Sequence, residues 1–161
     1  MRPGRLVPLV LALAALGLAA TPLRAQDNPS DVDQAREVRR MVLDTSRALQ
    51  ARNAALFLRL FDPEKFAGYS ALESHVVALT TQSDIASSIE IVEIEQKETG
   101  YRLRVDWLLQ LSVQETPGPL ETRRQVLEIS AAEQKKGRWR ITDLKPVEFF
   151  RPQGASRPPQ R

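Results

Sequence analysis

Tyr101-Arg102-Leu103-Arg104-Val105-Asp106-Trp107-Leu108-Leu109-Gln110-Leu111-Ser112-Val113-Gln114 sets an apolar side chain at every odd position from 101 to 113. The even positions are polar or charged, with Leu108 the exception. Side chains alternate faces along a strand, so this stretch is a long strand with one face on a core and the other toward water. Such a face is unstable alone; it needs neighbouring strands and an apolar cover.

The neighbours lie on both sides in the chain. Upstream, Ile89, Ile91, Val92 and Ile94 mark a first strand, with a bulge where the alternation slips, and Glu98-Thr99-Gly100 is the hairpin turn into the long strand. Downstream, Pro117-Gly118-Pro119 turns the chain. Val126 or Leu127, Ile129 and Ala131 then mark a third strand, and Lys135-Lys136-Gly137 turns it again. Trp139, Ile141 and Leu144 form the last strand, which Pro146 ends. Sequential strands with short connections pair antiparallel.

The cover comes from the segment before Ser83. Ser30 is a good N-cap, Asp31 and Asp33 suit the first turn, and Val38, Met41, Val42, Thr45, Ala48 and Leu49 recur at helical spacing. This predicts a helix over Asp31 to Arg52. Asn53 ends it and caps a second, nearly all-apolar helix from Ala54 to Phe61, which Asp62-Pro63 stops. After Gly68, residues Ala71 to Thr81 read as a third helix, with Leu72, Val76 or Val77, and Leu79 inward. The fold class is α+β: three N-terminal helices packed on a mainly antiparallel four-stranded sheet.

The two ends differ in character from this body. Residues 1–25 begin with Arg2 and Arg5, run apolar from Leu6 to Ala20, and finish at the small residue Ala25. That is the layout of a secretory signal peptide, and the apolar run falls short of the about 20 residues a membrane span needs. Cleavage is expected after Ala25, with Ala20 the alternative because Leu23 sits poorly three places before the cut. The chain is therefore expected in the bacterial periplasm or outside the cell, with no stable membrane span after cleavage. Residues 26–150 form the domain. Residues 151–161 hold Pro152, Pro158, Pro159 and three arginines, and lack the apolar surface to order themselves.

Charge follows the same division. Lys+Arg 23 against Asp+Glu 20 makes the chain +3, yet each end carries three arginines and no acid. The body from 26 to 150 has 17 basic and 20 acidic residues, so the basic balance is not a nucleic-acid footprint. Cysteine is absent and one histidine exists, which removes disulfides, thiolate or multi-histidine metal sites, and a cysteine nucleophile. No phosphate-binding glycine loop or nucleophile elbow occurs, so neither a cofactor nor a metal is expected.

The order of elements resembles the nuclear transport factor 2-like superfamily, including its ketosteroid-isomerase-like and polyketide-cyclase-like branches. The resemblance rests on the long first helix running into Arg52-Asn53-Ala54-Ala55-Leu56-Phe57-Leu58-Arg59-Leu60-Phe61-Asp62-Pro63, on the long alternating strands, and on Gly137-Arg138-Trp139-Arg140-Ile141-Thr142-Asp143-Leu144 at the last strand. It covers Asp31 to Phe150. It implies a cone: a curved sheet wrapped on helices, with a pocket at the wide end. Members include enzymes and non-catalytic binding modules, so the fold does not set the activity.

The candidate site residues follow. His75 is the one side chain suited to proton transfer near neutral pH, and the third helix borders the pocket in such folds. Asp143 interrupts the apolar face begun by Trp139 and Ile141; it is a pocket base or is turned outward by a bulge. Tyr69 and Tyr101 offer phenolic donors to a ligand, and Arg124 and Glu128 share one strand face, as ligand contacts or as members of cross-strand ion pairs. No complete acid/base or nucleophile set emerges. The expectation is a non-catalytic exported domain that binds a small apolar ligand or a protein partner, with a homodimer through the sheet face around Leu108. The alternative is a cofactor-free isomerase, dehydratase or cyclase using His75 and Asp143.

Overall fold

Alternation along residues 101–113 is realised as the centre of the molecule. The computed structural model describes residues 29–113, 120–135 and 137–152. The leader 1–25, the Pro117-Gly118-Pro119 turn, Lys136 and residues 153–161 of the tail lie outside them. Strand β2 (Gly100–Val113) turns Tyr101, Leu103, Val105, Trp107, Leu109 and Leu111 inward, all of them buried. Strands β1 (Ser83–Lys97) and β3 (Glu121–Lys135) flank it, and β4 (Arg138–Lys145) pairs with β3. Every neighbouring pair is antiparallel, in the order β1-β2-β3-β4. Helices α1 (Pro29–Gln50), α2 (Ala54–Leu58) and α3 (Tyr69–Gln82) form the second layer. The class is α+β, as the periodicities require.

β1 begins at Ser83, ahead of the first isoleucine of its expected run. Its inward positions there are Ser83, Ile85 and Ser87, and two small hydroxyls hide the apolar alternation. They are buried polar groups, which must be bonded or cost stability. Ser87 Oγ accepts from Trp107 Nε1 at 2.9 Å and from Ser46 Oγ of α1 at 2.8 Å, whereas Ser83 Oγ has no partner among the described residues. The anticipated bulge falls at Val92: Ile91 faces Val105, Glu93 faces Arg104, and Val92 is extra.

A second irregularity reorients the last strand. Ser130 faces Asp143 while Ala131 faces Ile141, so Thr142 is the extra residue. Leu144 is thereby buried and Asp143 moves off the core face. The third strand resolves in favour of Leu127, with Ile129 and Ala131 buried beside it and Val126 exposed. In α3 the inward set is Leu72, Val76 and Leu79, and Val77 is exposed.

The expected second helix is corrected by the structure. It ends at Leu58 rather than Phe61, and Ala55 and Leu56 are exposed. The apolar residues that follow bury themselves differently. Ile141 N donates to Leu60 O and Asp62 N donates to Ile141 O, both at 2.9 Å, so this segment docks on the edge of β4. Asn53 does cap the helix, accepting from Leu56 N at 2.8 Å.

Beyond β4 the 3₁₀ turn Val147–Phe150 has no counterpart in the sequence expectations, which end the strand at Pro146. Phe149 and Phe150 are buried and close the interior. Phe150 meets Trp107 edge-on at 5.1 Å and Phe57 at 5.6 Å between ring centroids. Arg123 Nη1 holds the turn by donating to Phe149 O at 2.9 Å.

Gly100 enters β2 at φ +147°, and a Cβ there would stand 2.0 Å from Ala131 O. Gly100→Ala should therefore lower unfolding free energy by more than about 2 kcal/mol, combining a glycine-only conformation with a backbone collision. Phe150→Ala should cost about 3–5 kcal/mol through the cavity it leaves. Urea denaturation of the two variants checks both.

Candidate functional site

The residues singled out by sequence fall on different surfaces. His75 is half-buried on α3, which packs against α2, β1 and the 3₁₀ turn. It lines none of the five surface depressions described for this chain. Asp143 lies on β4, where Oδ2 is 2.6 Å from Lys145 Nζ and Oδ1 accepts from Leu144 N at 3.0 Å. The hydrogen bond that Lys145 donates to Asp143, then the Asp143 charge, raises the Lys145 pKa. Asp143 borders a depression of about 320 Å³ on the outer side of the β1–β2 hairpin. No described depression holds both His75 and Asp143.

Tyr69 starts α3, half-buried, and burial followed by the Glu73 charge pushes its phenol up. Tyr101 is buried on the inner face, where its hydroxyl donates to Asp31 O at 3.1 Å. Its pKa is raised by burial first and by Asp31 second. Arg124 and Glu128 occupy the open face, each engaged by β2. Arg124 Nη2 and Nε bond Asp106 Oδ2 at 2.6 and 3.0 Å. Arg102 Nη2 bonds Glu128 Oε2 at 2.8 Å. With Glu93–Arg104 at 3.4 Å, these pairs make the open face a lattice of cross-strand charges. Solvent-exposed pairs of this kind contribute little stability but keep the face polar.

A different constellation is assembled at the hairpin end of the inner face. Tyr101 pairs with Gln96 and Trp139 pairs with Glu133, so all four project to the same side. Along that side the sheet changes from Leu103, Ile129 and Ile141 to two aromatic rings, and then to an amide and a carboxylate. Gln34 of α1 and Lys65, on the turn after α2, come from the helical layer. Together they line an open cleft of about 560 Å³. The rings of Tyr101 and Trp139 meet edge-on, 5.3 Å apart at 63°.

Local bonding explains why the cleft has this shape. Asp62 is buried, and its Oδ1 accepts from Glu64 N at 3.0 Å and Lys65 N at 3.3 Å. Its Oδ2 accepts from Gln134 Nε2 on β3. One carboxylate thus ties the Lys65 turn to the sheet. Glu133 Oε1 accepts from Gly137 N across the β3–β4 turn. Trp139 is only 8% exposed, and its indole Nε1 is buried without a hydrogen-bond partner among the described residues. Of these residues Tyr101 alone was marked as a ligand contact from sequence. The bulge at Val92 sets the inner register of Gln96, Glu133 continues the alternation of Leu127, Ile129 and Ala131, and Asp62 ties the Lys65 turn to the sheet.

No family model matches the sequence, and no curated protein aligns with it. Solved structures do match. A protein of the nuclear transport factor 2-like superfamily from Salmonella enterica serovar Typhimurium aligns at 12% identity with a TM-score of 0.59, over 70% of this chain and 89% of the other. A function-unknown protein from Mycobacterium tuberculosis aligns at 13% identity and 0.59, over 74% and 75%. A nuclear transport factor 2-like protein with a cystatin-like fold, from Novosphingobium aromaticivorans, aligns at 13% identity and 0.54, over 74% and 88%. At such identities the likeness is one of fold, and the chain has the nuclear transport factor 2-like fold.

Hydrogen bonds from Arg124, opposed in part by burial, hold the Asp106 carboxyl below the usual carboxylate range. In Arg124→Ala its titration midpoint should rise toward the ordinary value of about 3.9, as carboxyl carbon NMR would show. The sign follows: a depressed folded pKa means that the pair's contribution is present above the ordinary value. It is lost as pH falls through the lowered one.

Proposed function

We propose that the mature chain is a non-catalytic binding domain of the bacterial envelope, which engages its ligand or protein partner at its surface. The observation that carries this reading is the filled interior. In a curved sheet capped by helices, the enclosed space is the natural chamber for an apolar ligand or a water-shielded reaction. Here Phe57, Trp107, Phe149 and Phe150 occupy it. Recognition then falls to the cleft at the hairpin end, whose polar rim surrounds two aromatic edges.

The separation of His75 from Asp143 among the depressions supports the same reading. Acid–base catalysis needs both groups within reach of one bound molecule. Export is inferred from the leader's charge, apolar run and small-residue end, and a cysteine-free domain stabilised by core packing is compatible with that compartment.

Native mass spectrometry of the protein isolated from its own cells tests the proposal. The expected species is a chain lacking residues 1–25, recovered with a bound small molecule or polypeptide. His75→Ala and Asp143→Asn should retain that companion with affinity changed less than about twofold, as surface substitutions away from a site do. A full-length chain confined to the cytoplasm would overturn the export reading. Loss of the companion in His75→Ala would reopen the enzyme reading.

A further inference from the structure

We propose that the hairpin-end cleft is a site for a small zwitterion, a free α-amino acid or a dipeptide. The inference rests on the reading of this chain as a binding domain and names the ligand class of its cleft.

The charges on the two sides of the cleft carry the argument. Lys65 approaches from the helical layer, and among the described residues its ammonium has no partner; only its backbone N–H is bonded, to Asp62. Glu133 approaches from the sheet, and among the described residues only one of its carboxylate oxygens is bonded, by Gly137 N. Lys97, also at the rim, is already paired with Glu95. Among the described residues, the Lys65 ammonium, the half-free Glu133 carboxylate and the carboxylate of Glu98 at the rim therefore border one cleft, with the amides of Gln34 and Gln96 also lining it. A ligand of a single charge would meet attraction at one side and repulsion at the other. An apolar ligand would leave these charges and both amides without compensation. A molecule carrying ammonium and carboxylate a few bonds apart satisfies both sides.

Trp139 supplies an independent observation. The chain contains two tryptophans. Trp107 donates its indole N–H to Ser87, as buried indoles ordinarily do, whereas Trp139, which lines the cleft, has a buried N–H with no acceptor among the described residues. A turn of the Trp139 ring toward the cleft would offer this donor the acceptor it lacks, a carboxylate oxygen entering from the Lys65 side. The assignment is then specific: the ligand carboxylate to Lys65 and Trp139, the ligand ammonium to Glu133. The cleft volume of about 560 Å³ lies in the range of small-molecule sites and exceeds what a dipeptide fills.

The two indole signals make the test direct. The chain as it occurs in the cell, uniformly labelled with ¹⁵N, is titrated with L-alanyl-L-alanine into the millimolar range. The same titration uses its N-acetylated, C-amidated form, which keeps the shape and loses both charges. The free dipeptide should shift the Trp139 indole N–H and the backbone signals of residues 96–101 saturably, leaving the Trp107 indole in place. The blocked form should bind at least tenfold more weakly. Lys65→Ala and Glu133→Gln should each weaken the free dipeptide by tenfold or more while preserving the rest of the spectrum. Absence of a saturable shift, or equal shifts from the blocked form, overturns the assignment. If it fails while the native protein still carries a companion by mass spectrometry, the binding-domain reading stands and only the ligand class falls.

Discussion

The indole of Trp107 joins every layer of this molecule. It sits midway along the longest alternating strand, where its ring is fully buried. Its N–H bonds Ser87 of β1, and Ser87 in turn receives Ser46 of α1. Its ring takes the edge of Phe150 from the end of the domain, and Phe150 takes Phe57 from α2. Removing a large ring from such a position leaves a cavity that the surroundings fill poorly, and here it would also take one donor from the buried Ser87 hydroxyl. Sheet, helices and C-terminal turn are therefore not separately placed; they converge on one side chain.

Phe57, Trp107, Phe149 and Phe150 are buried together at the centre of the fold, and the open cleft lies where the helical layer stops short of the sheet. At the hairpin end the inner face continues past the last covered rings into Gln96 and Glu133, and the Asp62 carboxylate carries Lys65 across to meet it. The opposite sheet face is satisfied within itself by Arg102–Glu128, Arg104–Glu93 and Arg124–Asp106. One surface is thus electrostatically closed and the other holds unmatched groups.

Much of the fold was legible because periodicity reports directly on burial. All the odd positions from Tyr101 to Leu111 are buried, and the bulge at Val92 and the outward turn of Asp143 were visible as slips in alternation. Failures occurred where apolar character did not mean helix or strand. Leu60 and Phe61 continue a helical pattern yet dock on a strand edge, and Ser83 and Ser87 occupy core positions without apolar side chains. The site was less legible. Arg124 and Glu128 share a face as expected, but each found its partner on the neighbouring strand.

By itself the sequence determined the α+β class, the antiparallel order, the helical cover and the contrast between a slightly acidic body and two arginine-bearing ends, because each is a property of local pattern or composition. Tertiary structure alone decided that Phe149 and Phe150 would fill the interior, that the Trp139 N–H would be buried with no acceptor among the described residues, and that Lys65 and Glu133 would share a cleft. The physical reason is distance along the chain. Residues separated by tens of positions meet only after bulges have set the register and a buried carboxylate has tied a turn to the sheet, and no local pattern encodes either outcome.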